Sequence, residues 1–421
     1  MISKRATLSS SDLNIPWRYV DPGPRGRYDP ETNPTGVITH FTSAENFLVQ
    51  RELAKFIKAN VDIPEQALGY SYSTAGGQQL PAALAAHLNE HWKPWEPLSG
   101  EDIRITGAAT ALHEILGFSI ADPGQGIMTS RPYYGRFELD FGLKAGLRIV
   151  AADTPLETCL QPDVVDIFEM TLQKAKTEGI DVRALLIVNP HNPLGRCYPK
   201  ETLTALMRFC QGHNIHLISD EIYAFAGFDS TEPGTHPFTS VLSLEPQIDK
   251  GLLHVIYGMA KDYAVPGLRL GALITRSKPL LKAVKSVIRF HNPSGPSVAI
   301  ATAMFYDRTW MRSFIRMGRG RVGEAYTYFT GRLSRMGVRY LSGVNAGLFV
   351  FVDLSPWLRE DVGQGKEARE QELAQRALGE GVFLQPGEEH AFEAGWFRLV
   401  YTVERRVMDE GLRRLERAIK G

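Results

Sequence analysis

The chain has 421 residues, of which 43% are apolar, and its 47 lysines and arginines are balanced by 47 aspartates and glutamates. Zero formal charge removes the electrostatic case for a nucleic-acid or membrane-surface protein, and no apolar run reaches the roughly 18 residues of a membrane span. Cys159, Cys197 and Cys210 form no CxxC pair and the opening MISKRATLSSSDLN holds no apolar signal segment, so the expectation is a cytoplasmic protein of a reducing compartment, without disulfides.

In chain order, residues 1–35 are rich in Pro, Gly, Asp and Arg and read as an extended arm with little helix or strand. Helical spacing begins near Ser43 and runs through Phe47, Leu48, Leu53 and Ile57. Short apolar runs then recur at 103–108, 126–130, 147–152, 184–190, 215–221, 252–258 and 270–275. Several are continuous rather than alternating, as in strands covered on both faces. Helical spacing over 109–121, 162–178 and 199–213 separates them. This alternation predicts an α/β unit with a mainly parallel sheet. Beyond residue 300 come a long Arg-rich helix (308–335), short strands at RYLSG, GLFVFVDL, VFLQP and WFRLVYT, and helices near 366–379 and 405–419. That part reads as a smaller α+β unit.

Three strand ends carry unusual residues. NPHNPLG (189–195) follows one apolar run, a Pro- and Gly-restrained loop able to hold Asn192 at a fixed angle. SDEIY closes the next, placing Asp220 at the end of an apolar run, where a carboxylate is costly unless paired. AKDYAVPGLRLG follows the third, with Lys261 and then Arg269. A lysine, a carboxylate, hydrogen-bonding groups and an arginine beside a helix start form the set that pyridoxal phosphate requires: an attachment amine, a partner for the ring nitrogen, donors to the ring oxygen and a phosphate cradle.

Here the sequence resembles the class I/II aminotransferases of pyridoxal-phosphate fold type I, and among them the branch holding 1-aminocyclopropane-1-carboxylate (ACC) synthases. Eight motifs carry the resemblance in order over residues 36–415: SAEN (43–46), TGAAT (106–110), RPYYGRF (131–137), NPHNPLG, SDEIY, AKDYAVPGLRLG, NAGLF (345–349) and GWFR (395–398). The fold implied is aspartate-aminotransferase-like, a large domain with a mainly parallel seven-stranded sheet plus a small α+β domain. Its implied divisions are an arm and part of the small domain at 1–45, the large domain at 46–300 and the small C-terminal domain at 301–421.

The resemblance also implies roles. Lys261 would be the Schiff-base lysine and then the base at Cα, with Asp220 on the pyridine nitrogen and Asn192 and Tyr223 on the ring oxygen. Tyr134 would stack on the ring. Ala109, Thr110 and Arg269 would hold the phosphate of pyridoxal 5'-phosphate. Arg398 would bind the substrate carboxylate, and Glu45 and Asn46 would line the substrate side. Tyr70, with Tyr72 as a competitor, would reach the neighbouring subunit's phosphate, implying a homodimer with shared sites. The partner otherwise expected is a small amino-acid-type substrate, with no nucleic acid, membrane or metal. The implied reaction is transamination of an α-amino acid or a metabolite derived from one. β/γ-Elimination, by a carbon–sulfur lyase or an ACC-synthase-like enzyme, is the alternative. A non-catalytic binding paralogue is the reading of another class.

Some positions depart from the pattern. Gly258 and Ala260 stand where many relatives carry hydroxyls, Pro81 where Arg is common, and Thr74 where ACC synthases have Tyr, which argues against ACC synthesis itself. Three other features read as structural. GRGRVG (318–323) matches a dinucleotide-binding pattern but follows a helix rather than a strand. His87 and His91, four apart, read as a solvated helix face, and Arg312, Arg316, Arg319 and Arg321 as solvated or interface arginines.

Overall fold

The computed structural model describes residues 2–15, 17, 19–361, 365–387 and 391–421. Seven strands form the main sheet: β1 (Ile103–Thr106), β2 (Gly126–Arg131), β3 (Arg148–Asp153), β4 (Val182–Val188), β5 (His216–Asp220), β6 (Leu253–Gly258) and β7 (Gly271–Thr275). Their order is β1-β7-β6-β5-β4-β2-β3. Only β7 runs against its neighbours; the other pairings outside it are parallel. Each of these strands falls within a few residues of its expected run. β6 and β7 are buried along their whole length, because helices cover both faces of a parallel sheet and leave no face for alternating polar residues.

β8 (Arg339–Tyr340), β9 (Phe349–Asp353) and β10 (Trp396–Val400) form a second, antiparallel sheet in the order β10-β9-β8. The Arg308–Met336 helix and the terminal Arg405–Lys420 helix flank it. The N-terminal arm joins this part of the molecule. Ile38 bridges Val382, the Val400 amide donates to the Phe41 carbonyl, and Phe41 meets Phe329 edge-on at 5.8 Å.

Four local expectations are corrected. The arm contains a helix, Lys4–Ser11, with no buried residue. It holds neither Pro nor Gly to break it, and its serines and threonine donate back to carbonyls three or four residues earlier. The first apolar helix starts at Gln50, not Ser43, because Asn46 Oδ1 accepts from the Leu48 amide and sets a turn there. VFLQP is no strand; Val382 makes a single bridge. His87 is not solvated: it is 2% exposed, on the face of the Leu80–Trp92 helix turned inward. GRGRVG lies mid-helix in Arg308–Met336, as its lack of a preceding strand indicated.

No helix among the described residues is long and apolar enough to cross a membrane.

Candidate active site

Register brings the motif-bearing ends together. Val188, Asp220 and Ile256 lie side by side across β4, β5 and β6, so the segments that follow these strands emerge at one edge of the sheet. β1 ends at the same edge. β7, running the other way, begins there, which places Arg269 beside Lys261 although nothing in local spacing requires it. The edge opens on a cavity of about 460 Å³. Of the residues proposed from sequence, Glu45, Ala109, Thr110, Tyr134, Asn192, Asp220, Tyr223, Lys261, Arg269 and Arg398 line it.

Lys261 sits on a single helical turn, Met259–Asp262, directly after β6. Its Nζ donates to the Ala44 carbonyl at 2.6 Å. Burial, with the charge of Arg398 as the next cause and that of Arg269 adding to it, holds its ammonium down to about 8, against the opposing pull of Glu45 and Asp220. A buried lysine poised near neutrality serves as nucleophile and base.

Asp220 is 2% exposed. Its Oδ2 lies 3.3 Å from Nε2 of His113, whose Nδ1 lies 2.8 Å from Asp140 Oδ2. Burial alone would lower the imidazole, but the hydrogen bonds and charges of Asp140 and Asp220 raise it to about 9. His113 is therefore held as an imidazolium, bonded to Asp140 on one side and Asp220 on the other. His113 was not singled out in the sequence. Its available signal was its place four residues past Ala109 on a helix whose other inward residues are apolar.

The Ala109–Ile120 helix points its N-terminus into the cavity. Ala108 before it has φ 88° and ψ 173°, a conformation unusual for any residue with a Cβ. Gly271 makes the tight turn possible: a Cβ there would lie 2.6 Å from the Ala108 carbonyl carbon. The helix start offers free amides and the Thr110 hydroxyl for an anion. Gly258 and Ala260 line the same cavity and bring no hydroxyl.

Arg398 reaches the cavity from β10 of the second sheet. Its Nη1 donates to Asn192 Oδ1 and its Nη2 to the Thr42 carbonyl, both at 3.0 Å, and its guanidinium lies 5.2 Å from the Phe349 ring centre. The NAGLF segment thus supports the site: Phe349 also packs edge-on to Tyr223 at 5.3 Å, and the Asn345 and Ala346 amides donate to the Gly195 carbonyl, tying down the Asn192 loop. Burial raises the Tyr223 phenol above its ordinary value, so it stays a protonated donor.

Two proposed residues lie elsewhere. Asn46 spends its side-chain oxygen on the Leu48 amide and is not part of the lining. Tyr70 is fully exposed and away from this cavity; Tyr72 packs partly against the core.

The donor set fits pyridoxal 5'-phosphate. It combines an amine held near neutrality, a carboxylate backed by an imidazolium, a protonated phenol, the Tyr134 ring, and a helix start beside Arg269.

Comparison with known proteins agrees. The family model described as aminotransferase class I and II matches residues 43–415. A probable aminotransferase, sirI of Leptosphaeria maculans, is 29% identical over 100% of this chain and 98% of its own. ACC synthase 6 of rice (Oryza sativa subsp. japonica) is 29% identical over 89% of this chain and 71% of its own. Among solved structures, a single mutant of Thermus thermophilus aspartate aminotransferase superposes with a TM-score of 0.74 at 22% identity, over 99% of both chains.

Proposed function

The chain belongs to the aminotransferase class I and II family, and from that footing we propose that it acts at Cα of an α-amino acid or a metabolite derived from one, with Lys261 as the attachment amine and proton carrier and transamination as the outcome. It is a pyridoxal phosphate-dependent enzyme, as its family is. The observation that carries the residue assignment is the convergence of Asp220 from β5, Lys261 from the turn after β6 and Arg398 from β10 on one cavity.

Bound there, the cofactor supplies an electron-withdrawing ring that accepts the electrons released when a substrate Cα bond breaks. The protein does the rest. Lys261, its ammonium held down to about 8, takes the Cα proton and can return it at a second position. Asp220 would pair with the ring nitrogen, with His113 as its buried hydrogen-bond partner. Tyr223 donates to the ring oxygen, together with the Asn192 amide group, whose Oδ1 is engaged by Arg398. Arg269, the Thr110 hydroxyl and the amides of Ala109 and Thr110 hold the phosphate. Arg398, already oriented by Asn192 and Thr42, offers a planar fork to the substrate carboxylate. Glu45 lines the substrate side.

The likeness to an ACC synthase supports β/γ-elimination as the second reading. Amino donors with 2-oxo acids, run in parallel with cysteine conjugates, separate the two. Amino transfer that requires the oxo acid supports transamination, whereas pyruvate and ammonia released without an acceptor rule it out. A visible absorbance band lost in Lys261→Ala supports the lysine assignment, and an unchanged spectrum overturns it.

Our reading makes the enzyme a homodimer, with the exposed Tyr70 reaching the partner's phosphate site. It divides the chain into the arm and part of the small domain at 1–45, the cofactor domain at 46–300 and the small C-terminal domain at 301–421. The three unpaired, buried cysteines support a reducing, cytoplasmic setting.

A further inference from the structure

Asp262 follows Lys261 on the same single helical turn, but it turns away from the cavity. Its Oδ2 accepts from the Tyr257 hydroxyl at 3.1 Å. The Tyr257 hydroxyl also lies 3.1 Å from that of Tyr263, which in turn lies 2.8 Å from Nε2 of His87. Tyr257 and Tyr263 are completely inaccessible and His87 nearly so. Around them stand aromatic rings: Phe225 and Phe305 lie 5.2 and 5.0 Å from His87, and Phe305 meets Tyr263 edge-on at 5.7 Å. None of the four polar residues lines the cavity, and none has a part in the chemistry described above.

Sequestering two phenols, an imidazole and a carboxyl in an aromatic pocket is costly unless they bond to one another, and once they do, one arrangement is strongly preferred. Burial keeps His87 neutral, with its pKa at about 3, and raises the Asp262 carboxyl well above the usual range. His87 is thus a neutral member of the knot. The knot ties the last strand residues before the lysine (Tyr257) to the two residues after it (Asp262 and Tyr263), and anchors all three to a helix 176 positions away in the chain. A turn of four residues has too few backbone bonds of its own to hold a side chain in one direction.

We propose that Asp262 is a positioning residue for Lys261: through Tyr257, Tyr263 and His87 it clamps the turn that carries the lysine, so that Nζ is presented to the cavity in one orientation. This rests on Lys261 being the attachment amine.

The test uses pyridoxal phosphate itself, added to the cofactor-free full-length protein. The readouts are the rate at which the visible band grows and, after borohydride reduction, the mass tag on the Lys261 peptide. Wild type is expected to carry the tag on Lys261. Asp262→Ala should carry the same tag but form the band about 10- to 100-fold more slowly, the effect of losing alignment of a reacting group. Tyr257→Phe, which removes one oxygen and keeps the ring, should slow it in the same direction and decides the matter if Asp262→Ala does not fold. Band formation within about twofold of wild type in the folded variants overturns the clamp while leaving the lysine assignment intact. A wild-type protein tagged elsewhere overturns the lysine assignment, and the clamp with it.

Discussion

Asp220 and His113 form a buried pair, with Oδ2 of the carboxylate 3.3 Å from Nε2 of the imidazole. They lie 107 residues apart in the chain and meet because the helix after β1 packs across β7 and β6, the latter the neighbour of β5 in the sheet.

This pair makes stability depend on pH. The His113 pKa is about 9 in the folded protein against an ordinary 6.5, so folding favours the protonated ring. The stabilisation is complete below about pH 6.5 and is lost as pH rises through 9, a fall of up to about 3 kcal/mol. Denaturant unfolding followed across this window should show the decline in wild type and a flatter profile in His113→Gln. Equal slopes would remove the imidazolium from the account.

Gly271 and Ala108 set a second expectation. A Cβ at 271 would press on the backbone of Ala108, which has no rotamer to yield with, at 2.6 Å. Gly271→Ala should lower stability by about 1–3 kcal/mol and weaken pyridoxal phosphate retention, because the displaced turn carries the helix start. Equilibrium unfolding and cofactor titration check both; an unchanged cofactor affinity would separate this turn from the phosphate site.

Arg398→Lys keeps the charge and loses the fork. Binding of the amino acid that wild type turns over should weaken by about 1.5–3 kcal/mol, the worth of one hydrogen bond to a charged group, seen as a raised KM and a shifted spectral titration. Cofactor uptake should persist, since Arg398 is proposed to bind the substrate and not the phosphate. A variant with normal KM would take the carboxylate role away from Arg398.

Tyr70, wholly exposed on its own subunit, allows a test of site sharing. Lys261→Ala and Tyr70→Ala proteins should each be impaired alone. Mixed, unfolded and refolded together, they should regain activity, because one of the two sites in a hybrid dimer then has both residues intact. Failure of the mixture to exceed its components would place Tyr70 outside the partner's site.

Much of this protein is written locally. The seven strands of the main sheet follow from continuous apolar runs, and Asn192, Asp220, Tyr223 and Lys261 from motifs at their carboxyl ends, since strand period and turn chemistry depend on near neighbours, whereas Arg398 followed from the family resemblance. Asn192, Asp220, Tyr223, Lys261, Arg269 and Arg398 could be named before any contact was known, and each lines the cavity. Where a residue's partner is set by tertiary packing, local spacing misleads. His87 has a helical spacing to His91 that suits water, yet Tyr263 gives it a buried partner. Asn46 lies next to a cavity residue in sequence, yet it closes a turn.

What local pattern could not contain is the order of the sheet. Placing β7 between β1 and β6, reversed, brings Arg269 to Lys261 and Gly271 against Ala108. The same packing sets His113 between Asp140 and Asp220, and joins His87 to the turn that carries Lys261. The sequence by itself determined which chemical groups stand at the strand ends. Only the tertiary structure decided which buried partner each one has, because a hydrogen bond of about 3 Å between residues a hundred positions apart depends on the packing of whole elements.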